Sequence, residues 1–231
     1  MRRRLTTAAR RRIDNAAEHF VANRHRFEVL AQSLSVCLKE DPELGGFIHF
    51  IKHRVKDAQS LRAKLERLHI DGENGVVDES NLFSEITDLA GIRIVHLHTE
   101  QLIRMHPAII RILKEEQYEL AGEATAYCWD LEYQELFENI GIKTKQRQSM
   151  YTTVHYDVVA NKKTRIACEL QVRTLMDEAW GEVSHRVNYP KESPSAVCRD
   201  QLKILARLTS GCGRLVDSIF KTHNEAADVE R

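Results

Sequence analysis

Residues 151–173 have the sequence YTTVHYDVVANKKTRIACELQVR, the clearest structural pattern in the chain. Residues 151–160 and 165–173 each alternate apolar and polar side chains, as strands do when they bury one face. The four polar residues 161–164 lie between them, so the two segments are predicted to form a β-hairpin. With helical patterns on either side, the expected class is α/β (α+β), a mixed sheet of about five strands flanked by helices.

The alternation also predicts which side chains of the hairpin share a surface, because neighbouring residues of a strand point to opposite faces. The core face would contain Thr152, Val154, Tyr156, Val158, Ile166, Cys168, Leu170 and Val172. The opposite face would contain Tyr151, His155, Glu169, Gln171 and Arg173. Such a face can simply be solvated, but this mixture of chemical groups favours a functional site.

The rest of the chain is predicted from its periodicity to be mainly helical. The predicted helices cover residues 13–38, 47–68, 100–116, 175–187 and 196–220. Further strands are expected at 89–97 and 127–131, and residues 139–150 are expected to form a basic, flexible loop. The ends of the chain would then be helical extensions, and the apolar residues of the last helix fit either self-association or packing within one chain.

Composition excludes several classes of protein. The 231 residues include 34 basic and 34 acidic side chains, so net charge does not favour nucleic acid or membrane surfaces. The five cysteines form no CxxC pair, which argues against a disulfide framework and favours a cytoplasmic location. No apolar run approaches the ~20 residues of a membrane span, so no membrane partner is expected. Six arginines within residues 2–12 fit either a solvated helix start or an arm that binds RNA.

Two further groups of residues suggest phosphate chemistry. Asp88 precedes the strand at 89–97 and could hold a hard divalent cation if Glu169 approaches it, although such an aspartate is often a turn residue. On the helix predicted at 47–68, polar side chains that recur every four residues would form one column along the helix surface. This column could be solvated, or it could face a polyphosphate. Its members are Lys52, Lys56, Ser60 and Lys64. The motifs GxxxxGK[ST], GxGxxG, HExxH and GxSxG are absent from the sequence, so the enzyme classes they mark lose support.

Five blocks in order resemble the synthetase domain of RelA/SpoT-type alarmone synthetases. They are Arg54-Val55-Lys56 with Ser60 and Lys64, TDLAGIRIV at 87–95, YTTVHY at 151–156, ELQVRT at 169–174, and Ala179-Trp180 with His185. The resemblance covers about residues 47–190 and implies a small, stand-alone member with a nucleotidyltransferase-like fold. Residues 1–46 would then form an N-terminal helical extension and 191–231 a C-terminal helix.

The resemblance implies transfer of pyrophosphate from ATP to the 3′-hydroxyl of GDP or GTP with release of AMP, the activity of a GTP diphosphokinase. It implies Asp88 and Glu169 as catalytic residues and as ligands of Mg²⁺. The residues that it implies for ATP are Arg54, Lys56, Ser60, Lys64 and Arg93. Those that it implies for the acceptor are Lys143, Lys145, Arg147, Tyr151, His155, Gln171 and Arg173.

Two alternatives stay open at the level of sequence. Toxic members of this family place the pyrophosphate on the 3′ end of tRNA, and Met150 here replaces the glycine that the family usually has before its tyrosine. The other alternative is a regulator that binds nucleotide or RNA without catalysis, which the intact pair Asp88 and Glu169 argues against.

Overall fold

The computed structural model describes residues 4–72, 76–146, 149–160, 165–188 and 192–229. Its α-helices are α1 (Thr7–Glu40), α2 (Ala58–Asp71), α3 (Leu82–Glu85), α4 (Leu102–Glu115), α5 (Leu131–Asn139), α6 (Leu175–Asn188) and α7 (Ala196–Val229). Its strands are β1 (Phe50–Val55), β2 (Ala90–His96), β3 (Glu119–Leu120), β4 (Thr125–Cys128), β5 (Lys143–Gln146), β6 (Thr153–Val159) and β7 (Ala167–Thr174).

The strands form one mixed sheet in the order β1-β2-β7-β6-β4-β5, and β3 also pairs with β6. The pairs β2–β7 and β4–β5 are parallel, and the other pairs are antiparallel. The predicted class, a mixed sheet flanked by helices, is confirmed. The described residues contain seven strands rather than about five, because β1, β3 and β5 lie in segments for which no strand was predicted.

The predicted hairpin strands are confirmed as β6 and β7, which pair antiparallel from Val154↔Val172 to Val159↔Ala167. The predicted turn, 161–164, lies outside the described residues. On one face of this pair, the side chains are fully buried, as the alternation predicts. They are Val154, Tyr156, Val158, Cys168, Leu170 and Val172.

Helix α1 packs along the sheet and supplies much of the core. Thr6 caps it, since the Thr6 hydroxyl accepts a hydrogen bond of 3.2 Å from the amide of Ala9, so the helix begins earlier than predicted. Phe20, Phe27 and Leu34 belong to one hydrophobic cluster with the apolar face of the central strands. The polar face of β6 and β7 lies on the other side of the sheet, and α6 contacts β2 and β7.

The helix predicted over 47–68 is wrong in its first half. Residues Phe50–Val55 instead form the edge strand β1, which pairs antiparallel with β2. A helix begins only after Asp57, whose carboxylate caps it by accepting the amide hydrogen of Ser60 at 2.8 Å. The predicted column from Lys52 to Lys64 is therefore not one helix face, since Lys52 lies on β1 and Lys56 in the turn that follows.

The segment 117–150 holds more regular structure than predicted. The strand expected at 127–131 is β4, and it is followed by α5, which Asp130 caps through the amide of Glu132 at 3.2 Å. Part of the predicted flexible loop forms β5, whose sequence KTKQ contains no apolar side chain and is paired only along β4. Long-range pairing with β4 accounts for this strand.

The C-terminal helix α7 extends to Val229, beyond the predicted Phe220. The Trp180 indole N–H donates to the carbonyl of Leu202 at 2.9 Å, which fastens α6 to α7. Large apolar side chains remain exposed along α7, among them Ile204, Leu208 and Leu215, and self-association through this helix stays a prediction. Throughout the described helices, none combines the length and apolarity that crossing a bilayer requires.

Candidate active site

Strand register aligns residues from four strands, most of them polar, in two neighbouring rows. The first row consists of Arg54, Gly91, Glu169 and Asp157. The second row consists of Lys52, Arg93, Gln171 and His155. Because positions two apart in a strand point to the same side, both rows belong to one face of the sheet. The structure thus brings residues predicted for the donor, the acceptor and the metal onto one surface.

Glu169 lies at the centre of this surface, and its two carboxylate oxygens have different partners. Nδ1 of His155 lies 3.0 Å from Oε1, and the amide of Gln171 donates to Oε2 at 2.5 Å. Burial would raise the pKa of Glu169, but the hydrogen bond and charge of His155 outweigh it and lower this pKa. Glu169 is therefore ionised at neutral pH and already oriented.

Asp88 is held by two lysines. It lies in a short 3-10 turn before β2, where its Oδ1 is 2.7 Å from Nζ of Lys64 and its Oδ2 is 3.2 Å from Nζ of Lys56. Burial would raise the pKa of Asp88, but the two ammonium groups outweigh it and lower this pKa. The two lysines predicted to contact phosphates thus meet at a carboxylate predicted to hold a metal.

Asp157 is a third carboxylate at this site and was not among the predicted site residues. It pairs across the strands with Glu169. Burial raises its pKa, a hydrogen bond from Thr87 opposes the rise, and the charges of Glu169 and Asp88 add to it. The alternation of β6 placed Asp157 on the same face as His155, so the sequence did contain an indication of this residue.

The other residues predicted for ATP are distributed along β1, β2 and α2. Arg54 is exposed on β1, and Arg93 on β2 donates from Nη1 to Glu178 at 3.1 Å and to Glu182 at 3.0 Å. The Ser60 hydroxyl donates to the capping carboxylate of Asp57 at 2.7 Å, so the structure places Ser60 in the cap of α2.

A cavity of about 360 Å³ opens beside Glu169 on the side of β4 and β5. Its wall includes Tyr127, Lys143, Lys145, His155, Asp157 and Glu169. The ring of Tyr127 packs edge-on against His155 with centroids 4.8 Å apart, and Nζ of Lys145 lies 6.0 Å from the Tyr127 centroid. The sequence did not predict Tyr127 as a site residue, because its place beside His155 depends on the long-range pairing of β4 with β6. Arg147, which was predicted to bind the acceptor, lies outside the described residues.

Tyr151 and Arg173 form a separate pair at the edge of this surface. The Arg173 guanidinium carbon lies 5.5 Å from the Tyr151 ring centroid, and Nη1 donates to the Tyr151 hydroxyl at 3.4 Å. Arg173 is only 4% exposed and forms an ion pair with Glu178, so its charge is already neutralised inside the protein.

A wider depression of about 760 Å³ lies along α4 beside His106 and Arg111, and its lining contains no residue predicted for the site.

The carboxylates of Asp88 and Glu169 have the chemistry that Mg²⁺ requires. The charge of Asp88 acts to raise the pKa of Glu169, which indicates an electrostatic interaction that a cation between them would relieve. Magnesium is commonly bound by one or two carboxylates together with substrate phosphates. In the described part of the chain, no three ligating side chains already form a metal cluster. The donor set therefore fits a magnesium ion that binds together with a nucleotide.

Comparison with protein families identifies one matching region. The family model described as "Region found in RelA / SpoT proteins" matches residues 53–194, more than half of the chain. Among curated proteins, none matches this sequence.

Solved structures with a similar fold include a GTP pyrophosphokinase family protein from Streptococcus pneumoniae. That likeness has a TM-score of 0.62 and 20% identity, and it covers 90% of this chain and 94% of that one. Small alarmone synthetase 1 from Bacillus subtilis has a TM-score of 0.58 and 17% identity, covering 90% of this chain and 96% of that one. The same Bacillus protein bound to its product pppGpp has a TM-score of 0.57 and 20% identity, covering 88% of this chain and 95% of that one. At these identities, the likeness concerns the fold.

Proposed function

The chain belongs to the family that shares the RelA/SpoT region, and we propose that it transfers pyrophosphate from ATP to the 3′-hydroxyl of GDP or GTP, releasing AMP. The observation that most supports this proposal is the juxtaposition of two ionised carboxylates, Asp88 and Glu169, with two lysines and a histidine. Acidic groups for a metal and a proton, beside cations for phosphates, are what such a transfer needs.

The proposed reaction breaks and forms one bond at the β-phosphorus of ATP. The 3′-oxygen of the acceptor loses its proton and attacks this phosphorus, and the bond to the oxygen that bridges the α-phosphate breaks. Glu169, ionised and fixed by His155 and Gln171, is the group we assign to receive the proton. When bound at Asp88 and Glu169, Mg²⁺ would neutralise phosphate charge.

Lysines at both ends of the site supply the remaining positive charge. Lys56 and Lys64 are fixed near Asp88, and we assign them to the phosphates of ATP. Lys143 and Lys145 line the cavity beside Glu169, and we assign them to the phosphates of the acceptor. Because an ammonium group acts as a point charge, both pairs can follow phosphates that move during transfer.

A second acceptor, the 3′ end of tRNA, is favoured by the basic start of α1. Arg10, Arg11 and Arg12 are all exposed there, and clustered arginines bind nucleic-acid phosphates. The donor chemistry is the same for both acceptors, so they differ only in what occupies the cavity beside Glu169.

The direct test incubates the protein with Mg²⁺ and ATP labelled on its γ-phosphate, with GDP, GTP or tRNA supplied separately. We expect label on the guanine nucleotide. Label on tRNA would establish the second acceptor, and no transfer to any of the three would instead support a protein that only binds nucleotide.

A variant pair tests the role of Glu169 in the same assay. Glu169→Gln should lower transfer at least about 100-fold while ATP still binds, because the amide neither accepts the proton nor holds a cation well. Glu115→Gln is the matched control, since Glu115 is exposed on α4 and pairs only with Arg111 at 3.0 Å among the contacts seen. Equal activity of the two variants would remove Glu169 from the mechanism.

A further inference from the structure

Glu178 on the first turn of α6 links two arginines that come from different strands. Its Oε1 accepts from Nη1 of Arg93 on β2 at 3.1 Å, and its Oε2 lies 2.5 Å from Nη2 of Arg173 on β7. Glu178 is 5% exposed, so this carboxylate is shielded from solvent and its two partners are well defined. One buried charge therefore fixes both guanidinium groups.

Arg173 acts on the site through Tyr151. Its guanidinium contacts both the Glu178 carboxylate and the Tyr151 ring, and at 4% exposure it has little access to a phosphate in solution. Because a buried guanidinium is stable only when it is paired, loss of the Glu178 charge would displace Arg173 or draw in water. The position of the Tyr151 ring then changes with it.

Gly181, one turn further along α6, leaves the space that Arg173 occupies. A Cβ atom at position 181 would lie 2.8 Å from Nη1 of Arg173, closer than real contacts permit. Any larger residue there would push the guanidinium away from Glu178 and Tyr151. The surface of α6 is thus shaped to receive this arginine.

Glu182 provides a natural comparison for Glu178. It also accepts from Nη1 of Arg93, at 3.0 Å, but its side chain is 50% exposed and it has no described contact with Arg173. Removal of either carboxylate therefore loosens Arg93, whereas only removal of Glu178 also releases Arg173.

We propose that Glu178 is a positioning residue that couples the donor and acceptor sides of the site. The coupling rests on the proposed function and on two roles that the resemblance to RelA/SpoT-type synthetases implies: Arg93 would flank the adenine of ATP, and Tyr151 would stack on the acceptor base. Both contacts depend on the carboxylate of Glu178. A nucleotide that orders one of the two arginines therefore also orders Glu178, and Glu178 in turn orders the second arginine. By linkage, each nucleotide then strengthens the binding of the other by the same factor.

The test compares Glu178→Gln with Glu182→Gln in steady-state transfer and in calorimetric binding of a non-hydrolysable ATP analogue and GDP. Glu182→Gln should raise the KM for ATP alone. Glu178→Gln should raise the KM for ATP and for the acceptor, each about tenfold, because the hydrogen bond from Arg93 and the ion pair with Arg173 both lose the carboxylate charge. In wild type, the ATP analogue should tighten GDP binding by about fivefold or more, and Glu178→Gln should abolish this effect.

Gly181→Ala keeps the inference testable if Glu178→Gln does not fold, as judged by circular dichroism. It should raise the KM for the acceptor and leave that for ATP unchanged. Matching profiles for Glu178→Gln and Glu182→Gln, or a Gly181→Ala variant with a wild-type acceptor KM, would overturn the coupling. If wild type transfers no pyrophosphate, the proposed function fails, while calorimetry still decides whether the two nucleotides bind cooperatively through Glu178.

Discussion

Nζ of Lys64 lies 2.7 Å from Oδ1 of Asp88, although the two residues are 24 positions apart in sequence. The contact brings α2 onto the turn before β2, and Lys56 reaches the other carboxylate oxygen from the turn before α2. The charged form of Asp88 is therefore present at neutral pH, when a metal and a nucleotide would bind. In the proposed reaction, each lysine that turned toward a phosphate would leave one carboxylate oxygen of Asp88 open for the metal.

Asp88→Asn should greatly reduce the rate of the transfer reaction. The amide keeps the shape of the side chain but loses its charge, so we expect activity to fall by about 10³-fold and to need more Mg²⁺. The measurement is the rate of label transfer across a magnesium titration. Asp200→Asn is the control, because Asp200 is exposed on α7 and pairs with Lys203 at 3.0 Å, and neither residue is assigned to the site. Equal losses in both variants would contradict the assignment.

The double substitution Lys143→Ala with Lys145→Ala should weaken the binding of the acceptor nucleotide and leave the binding of ATP unchanged. Both side chains line the cavity beside Glu169, and removing two positive charges should raise the acceptor KM about tenfold. The effect should shrink at high salt, since exposed charges are screened. Lys203→Ala on α7 is the matched control. A comparable rise in the KM for ATP would place these lysines on the donor side instead.

Asp157→Asn should stabilise the fold at neutral pH. The pKa of Asp157 is raised, mainly by burial, so the folded chain holds this proton to higher pH than the unfolded chain and loses stability as pH rises. Removing the charge should raise Tm by about 3 °C at pH 7, and the gain should vanish near pH 4. Thermal denaturation at both pH values measures it. A gain of equal size at pH 4 would show that the charge of Asp157 is not its cause.

His96 should make the fold sensitive to mild acid. It is fully buried, its Nδ1 lies 3.0 Å from the carbonyl oxygen of His98, and burial lowers its pKa from 6.5 to about 4. Between these values, the unfolded chain binds a proton that the folded chain does not, so the stability contributed above pH 6.5 is lost as pH falls. The loss attributable to this group should approach about 3 kcal/mol at pH 4.

Urea denaturation of wild type and His96→Asn at pH 7, 5.5 and 4 separates this contribution from other groups. The asparagine cannot take up a proton, so the variant should lose less stability than wild type over the same interval. Parallel pH profiles for the two proteins would mean that His96 is not the titrating group.

The part of the site built on β6 and β7 could be predicted because it depends on a local rule. Alternation along a strand fixes which side chains share a face, and Val154 with Leu170 on one side and His155 with Glu169 on the other follow it. The limits of β6 and β7 agree with this pattern to within about two residues.

The parts that could not be predicted depend on contacts between distant segments. Apolar residues in 47–56 fit helical spacing, and only pairing with β2 makes Phe50–Val55 a strand. Strand β5 has no apolar residue and exists through its pairing with β4, so Tyr127 and the cavity beside it were not foreseen. Glu178 belongs to a helix that was predicted correctly, but its contacts with Arg93 and Arg173 arise only from how α6 packs.

The most direct measurement of the central proposal follows the adenine and the γ-phosphate of ATP together in one reaction with GDP and Mg²⁺. We predict one AMP for each labelled pyrophosphate that appears on the guanine nucleotide, and at least about 100-fold less of both products for Asp88→Asn or Glu169→Gln. Formation of ADP in place of AMP, or label released only as inorganic phosphate, would contradict pyrophosphate transfer by this chain.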